Sequence, residues 1–291
     1  MQQILGIIIV LGCVFGGFLL HGGKLSVIWE PYEIMIIAGA GFGALVLGNP
    51  PHVLSELRLQ VMKVLKPGRK KQGSEFQRQL LLLMYELLQT ASGGLKALDA
   101  HVEAPHESPI FQRYPLVLHE TKLVNFIVDN FRLMAMGKIS AHELEGVLEQ
   151  EIAAIDEELL QPSKSLAKIA EAMPGLGIVA AVLGIVMTMN TVGEGASSAE
   201  IAERVGAAMV GTFIGVFLCY GVLDPIANVL KQLVKEEQSN LECVKVVLVT
   251  HVAGKPPLLA IDAGRRIVQL NIKPSFAQLE GWINQLQNTG S

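Results

Sequence analysis

Pro174-Gly175-Leu176-Gly177-Ile178-Val179-Ala180-Ala181-Val182-Leu183-Gly184-Ile185-Val186-Met187-Thr188-Met189-Asn190-Thr191 runs without a single charged side chain. A helix needs about 20 mostly apolar residues to cross the hydrocarbon layer of a bilayer, so this run reads as a membrane span. A second uncharged run, Val205–Leu223, comes after a short loop that holds Glu194, Glu200, Glu203 and Arg204. Two more apolar segments lie near the N-terminus, Ile4–Leu20 and Glu33–Leu47, the latter extendable towards Pro31 and Gly48. In lipid each backbone amide must find its partner within its own segment, so all four spans are expected to be helical. Met1-Gln2-Gln3 carries no positive charge and His21-Gly22-Gly23 is a poor cleavage site. The first segment is therefore read as a span and not as a secretory signal.

Composition agrees with this reading. Of the 291 residues, 51% are apolar and only 17% are charged, against roughly a quarter in soluble domains. The net charge of −4 gives no basic excess for nucleic acid. Lysine and arginine placement sets orientation. The loop after the first span holds only Lys24, and the loop between the third and fourth holds only Arg204. Arg58, Lys63, Lys66, Arg69, Lys70 and Lys71 follow the second span, and Lys231 and Lys235 follow the fourth. Both long segments and both termini are thus expected in the cytoplasm.

The expected fold is all-α: a polytopic membrane protein with four transmembrane helices and a helical cytoplasmic domain. The division is an N-terminal hairpin at 1–48, a cytoplasmic helical domain at 49–173, a second hairpin at 174–223 and a cytoplasmic extension with tail at 224–291. Within 49–173, Phe76–Ser92 carries an apolar stripe of Leu80, Leu83, Met84, Leu87 and Leu88 at helical spacing. Leu123–Met136 repeats it with Val124, Ile127, Val128, Phe131 and Leu133. Ser140 and Glu143 form a capping-box pattern that opens an acid-rich helix to about Leu160. After the fourth span the apolar period continues through Val229, Leu233, Leu241, Val244, Val247 and Leu248.

Few residues carry chemistry. Spans three and four contain no Asp, Glu, Lys, Arg or His. A transporter acting alone usually keeps an ionisable group in the membrane, so an ion-conducting role here requires a carboxylate from another chain. On composition alone, a non-conducting membrane scaffold is the preferred reading. Thr212 is the best polar group in span four. Its hydroxyl can face a watery seam or bond back to its own helix, and the residues alone favour back-bonding. Pro174 fits a proline in the first turn of a helix. Pro225 interrupts a period that continues past it, which points to a kink. Small residues four apart recur at Gly12/Gly16, Gly39/Gly43, Ala180/Gly184 and Gly211/Gly215, and such pairs allow close helix approach in membranes. Cys13, Cys219 and Cys243 form no CxxC pair and read as buried apolar groups. The seven histidines show no metal-ligand spacing. No nucleotide or catalytic signature appears, so no cofactor, metal or enzymatic activity is expected.

Taken in order, these blocks resemble the MotA family of flagellar stator subunits. They are Leu11-Gly12-Cys13-Val14-Phe15-Gly16-Gly17, Ile36-Ile37-Ala38-Gly39-Ala40-Gly41, Phe126-Ile127-Val128-Asp129, Gly177 to Gly184, Ala208 to Gly215 with Pro225, and Pro274-Ser275-Phe276. The resemblance covers nearly the whole chain. It implies a ring of five around two helices of a MotB-type single-pass partner, whose aspartate takes the ion. It implies inward ion flow coupled to torque on the rotor's switch-complex protein FliG, in the bacterial inner membrane. It implies that Thr212, Ala181, Gly177 and Gly184 line the ion path and that Pro174 and Pro225 couple conformation to flow. Sodium-driven relatives carry threonine where this chain has Ala181, which implies proton coupling. The family's rotor-facing loop pairs an arginine with a later glutamate. Asp99 takes the acidic place, Ala91 falls at the basic place, and Lys96 is the nearest cation. The ExbB/TolQ energisers of outer-membrane transport are the alternative, and the extra N-terminal hairpin speaks against them.

Overall fold

The fold was analysed in a computed structural model that describes residues 2–65, 69–137, 139–193 and 195–289. Lys66 and Glu194, and the side chains of Arg69, Lys70, Lys71 and Lys96, lie outside the described residues. Among the described residues there is no strand. In chain order the helices are α1 (Gln2–Leu20), α2 (Leu25–Ile28), α3 (Pro31–Leu47), α4 (Pro51–Leu65), α5 (Arg69–Ser92), α6 (Leu95–Glu103) and α7 (Pro109–Gln112). They continue with α8 (Pro115–Leu118), α9 (Thr121–Met136), α10 (Ala141–Gly193) and α11 (Ser198–Phe217). A π-helical turn, Leu218–Leu223, leads into α12 (Asp224–Val252), and α13 (Pro257–Ile267) and α14 (Phe276–Thr289) complete the chain.

Two compact units emerge, one of residues 1–67 with 159–233, the other of 68–158 with 234–291. The first holds the apolar helices. The apolar windows of the helical stretches Ala141–Val192 and Ser198–Val252 are long enough to cross a membrane and only 22% buried. A soluble core helix would be mostly covered, so this exposure fits a lipid-facing surface. Leu5–Leu20 and Pro31–Leu47 are shorter apolar helices. Inside the unit, Ile37, Ala170, Met173, Ala180 and Cys219 form one buried cluster, and Leu57, Leu166, Ala227 and Leu230 form another. Phe15 packs edge-on against Phe213 and Phe217, with ring centres 6.3 and 5.4 Å away. Gln60 donates to the Leu159 carbonyl at 3.1 Å, tying α4 to α10.

The structure departs from three expectations drawn from the sequence. Pro174 does not sit in the first turn of a helix, because α10 runs without a break through both Pro162 and Pro174. Neither proline can donate its helix bond, to Glu158 or Ala170 respectively, yet burial of Leu166, Ala170 and Met173 holds the helix together across both. The acid-rich helix opened by Ser140 therefore does not stop near Leu160. Its capping box is present: Ser140 Oγ accepts from Glu143 N at 3.2 Å, and Glu143 Oε2 accepts from Ser140 N at 2.9 Å. Third, Cys13 is exposed on α1, whereas Cys219 and Cys243 are buried.

The second unit has a water-driven core. The predicted stripe of α5 is buried against Leu123, Val124, Phe126, Ile127 and Phe131 of α9, Leu144 and Leu148 of α10, and Val244, Val247 and Leu248 of α12. Burial in this core pushes the Cys243 thiol up to about 12, so it behaves as an inert apolar group. Asp262 in α13 accepts from Arg265 Nε at 2.7 Å and from Arg266 Nε at 3.0 Å. Arg265 also donates to the Pro274 carbonyl at 3.0 Å, fixing the approach to α14. Ser275 caps α14 by accepting from Gln278 N at 3.2 Å.

Burial alone would raise the Asp262 pKa, but the two guanidinium groups outweigh it and hold the carboxyl below its ordinary 3.8. A depressed folded-state pKa contributes stability that is complete above the unfolded value and lost as pH falls through the folded one. The melting temperature of the purified protein should therefore fall in that acid window. Asp262→Asn should melt lower at neutral pH and lack that part of the acid response. An unchanged melting curve for the variant at both pH values would remove this role.

Candidate functional site: a glycine seam with a buried carboxylate

Within the first unit, α10 and α11 meet through glycine. A Cβ built on Gly177 would lie 2.7 Å from the Gly211 carbonyl oxygen and 3.2 Å from the Cα atoms of Thr212 and Gly215. One built on Gly215 would lie 2.5 Å from the Met173 carbonyl oxygen. The obstacles are backbone atoms, so no side chain can swing aside, and the two main chains touch because neither residue has a side chain. Of the four small-residue pairs, Ala180/Gly184 and Gly211/Gly215 are used for this packing. Gly12, Gly16, Gly39 and Gly43 have nothing within 4 Å of a Cβ position. The start of α11 is fixed locally: Ser197 Oγ accepts from Glu200 N at 3.3 Å, and Glu200 Oε2 accepts from Ser197 N at 2.8 Å.

α3 adds a group that sequence reasoning passed over. Glu33, in the first turn of α3, is only 8% exposed. Its Oε2 fills the notch over Gly211, where a Cβ would lie 1.9 Å away, and its Oε1 is 3.3 Å from a Cβ position on Gly184. Ala180 and Ala208 complete the walls of this notch. Oε2 lies against the Gly211 main chain without a hydrogen bond of ordinary geometry to any described residue. Reading Glu33 as the boundary residue of span two hid it. The available signal was spacing: Glu33, Ile37 and Gly41 lie four apart on one helix face, and all three are buried.

Thr212 directly follows Gly211, and its half-buried hydroxyl makes no hydrogen bond to a described residue. The back-bonding expected of it is made instead by Thr188, which donates to the Gly184 carbonyl at 2.8 Å, and by Thr191, which donates to the Thr188 carbonyl at 2.7 Å. Ala181 is half-buried beside the notch residue Ala180, and Gly177 is buried in the seam. Pro174 lies inside α10, one turn before the seam. Pro225 is exposed at the start of α12, just after the π turn, where Asp224 N donates to the Cys219 carbonyl. A proline cannot donate back along the helix, and a widened turn is one way for a helix to pass one. In the second unit, Asp99 is exposed on α6, and Ala91 is half-buried against the core. The Lys96 side chain lies outside the described residues.

Comparison with known proteins defines the class. Residues 4–94 match the motility protein A N-terminal family, and residues 120–243 match the MotA/TolQ/ExbB proton channel family. The chain is 54% identical to the chemotaxis protein LafT of Vibrio parahaemolyticus over 284 residues, covering 97% of this chain and 98% of that one. It is 36% identical to motility protein A of Escherichia coli, covering 99% and 97%. Its fold is similar to that of the flagellar MotAB stator complex from Bacillus subtilis, with a TM-score of 0.69 at 21% identity, covering 95% and 97%. The chain is a membrane protein of the proton-channel class. It belongs to the motility protein A branch of the MotA/TolQ/ExbB proton channel family, the flagellar stator subunits.

The seam can be tested with alanine. Gly215→Ala forces a methyl group onto a backbone carbonyl and should destabilise the protein by about 1–3 kcal/mol, the usual cost of overpacking. Gly206→Ala, on the same helix with nothing within 4 Å, should melt like the wild type in detergent. Equal melting of both variants would mean that the seam opens freely.

Proposed function

We propose that five copies of this chain form a ring around two single membrane helices of a MotB-type partner, and that inward proton flow through this assembly turns the ring. The observation that carries the reading is the glycine seam itself. Between Glu171 and Glu194, and between Arg204 and Asp224, the chain has no Asp, Glu, Lys, Arg or His. Helices that approach this closely and hold no ionisable side chain make a wall for a charge carried by another chain. The Bacillus subtilis structure of similar fold is a MotAB stator complex, which supports a MotB-type partner for this chain.

The topology that goes with this reading has four spans in the bacterial inner membrane and both termini in the cytoplasm. Residues 1–48 form the outer hairpin, 174–223 the path-lining hairpin, and 49–173 with 224–291 the cytoplasmic part. Thr212, Ala181, Gly177 and Gly184 line the path. Pro174 and Pro225 transmit the change of partner protonation to the cytoplasmic part, which presses on FliG through surface charges such as Asp99 and Lys96. No enzymatic step is assigned to the chain. Ala181 offers no hydroxyl to a dehydrated sodium ion, which supports proton coupling.

The chain should co-purify with the product of the adjacent gene, and that product should have one membrane helix bearing an aspartate. Proteoliposomes should pass protons only when both are present. Proton flux from this chain alone would overturn the reading. Swimming speed should follow the proton gradient and ignore external sodium, and swimming that tracks sodium after collapse of the pH gradient would overturn proton coupling. Pro225→Leu should reach wild-type levels in the membrane yet abolish swimming, and wild-type swimming by that variant would remove the coupling role of Pro225.

A further inference from the structure

We propose that Glu33 is this chain's own proton-binding group, a relay that takes a proton from the periplasmic side and hands it to the partner's aspartate. The inference rests on the channel reading above and adds a second carboxylate, one supplied by every ring subunit.

Three observations carry it. The first is burial without an ordinary hydrogen bond: Glu33 is 8% exposed, and its Oε2 rests on the Gly211 main chain with no partner of normal geometry. Carboxylates within membrane segments are rare and costly, so one buried there is by default a functional group. The second is depth. Gly184 lies nine residues before Gly193, the end of α10, and Gly211 lies thirteen residues after Ser198, the start of α11. At 1.5 Å per residue the carboxyl group sits roughly 14 Å and roughly 20 Å inside those two helix ends. It therefore lies at the level of the seam, beside the residue that precedes Thr212. The third is the lining of the notch. The notch is walled by Gly211, Gly184, Ala180 and Ala208, none of which carries a polar side chain, and among the described residues no cluster of three His, Cys, Asp or Glu side chains could hold a metal ion. A dehydrated metal cation needs several oxygen ligands, whereas a proton needs one oxygen lone pair.

Other charges nearby stand at the periplasmic ends of the elements that pack here. Glu30 precedes α3, Lys24 precedes α2, and Glu200, Glu203 and Arg204 lie in the first two turns of α11. α10 offers none between Glu171 and Gly193. The acidic residues of this set draw protons towards the entrance, and Glu33 is the carboxylate that continues inward from them. The transfer balances in two steps. A hydronium ion gives its proton to the Glu33 carboxylate, an O–H bond forms on the carboxyl as one in hydronium breaks, and water is left. The carboxylic acid then releases that proton to the partner's carboxylate, directly or through a water molecule, and the Glu33 carboxylate is restored.

The test uses the full chain co-expressed with its partner and reads proton flux in vesicles, swimming speed and membrane level. Glu33→Gln keeps the shape and removes the proton site. It should assemble normally and lower proton flux by roughly a hundredfold, the lower end of what a positioned proton-transfer group contributes. Glu33→Asp keeps a carboxyl one methylene shorter, and it should retain partial flux with a shifted dependence on external pH. If Glu33→Gln assembles and conducts like the wild type, the inference is overturned while the stator reading stands. If Glu33→Gln fails to assemble, Glu33→Asp decides: a shifted pH profile supports the relay, and a wild-type profile reduces Glu33 to a packing group. Absence of flux from the wild-type pair would instead sink the stator reading itself.

Discussion

Contact between the main chains of α10 and α11 is the constraint on which the membrane unit depends. Lipid tails are as apolar as leucine, so burial of apolar surface gives membrane helices little reason to associate. Association must come from close packing, and packing this close requires Gly177 and Gly215 to have no side chains. The same absence at Gly211 opens the notch that Glu33 fills. Structure and chemistry in this unit thus draw on one property of one residue type.

The second unit answers to water. Its large side chains, Phe111, Phe126 and Phe131 among them, are fully or almost fully buried, and its charges are paired where they are covered, as at Asp262 and at Lys245, which contacts Glu242 at 2.7 Å. The chain writes both kinds of physics into single helices. α10 is acid-rich from Glu143 to Glu158 and uncharged from Ala172 to Gly193.

Much of this was legible in the sequence. Uncharged runs marked the apolar helices, because lipid tolerates few charges, and the stripes of α5 and α9 marked the face that became core. The Ser140 capping box was legible because its two bonds span three residues. The features that were not legible depend on contacts between distant segments. Pro174 looked like a helix start because local rules place proline there, and only tertiary burial around Met173 keeps the helix intact through it. Glu33 looked like a boundary residue because hydropathy averages along the chain, and nothing local says that Gly184 and Gly211 stand opposite it. Thr188 could not be told from Thr212 as the back-bonding hydroxyl, since both lie in apolar helices close to a glycine.

The π turn at Leu218–Leu223 also sets the phase of α12. Each residue in an α-helix advances the side-chain direction by about 100°, and a widened turn inserts extra backbone without ending the rod. A single helical wheel drawn through α11 and α12 therefore superimposes two different faces. Beyond this turn, Ala227 and Leu230 are buried in one cluster with Leu57 and Leu166. Deleting one residue from the turn would leave the composition of the span almost untouched and swing both side chains away from that cluster, so a change invisible to hydropathy would unseat the helix.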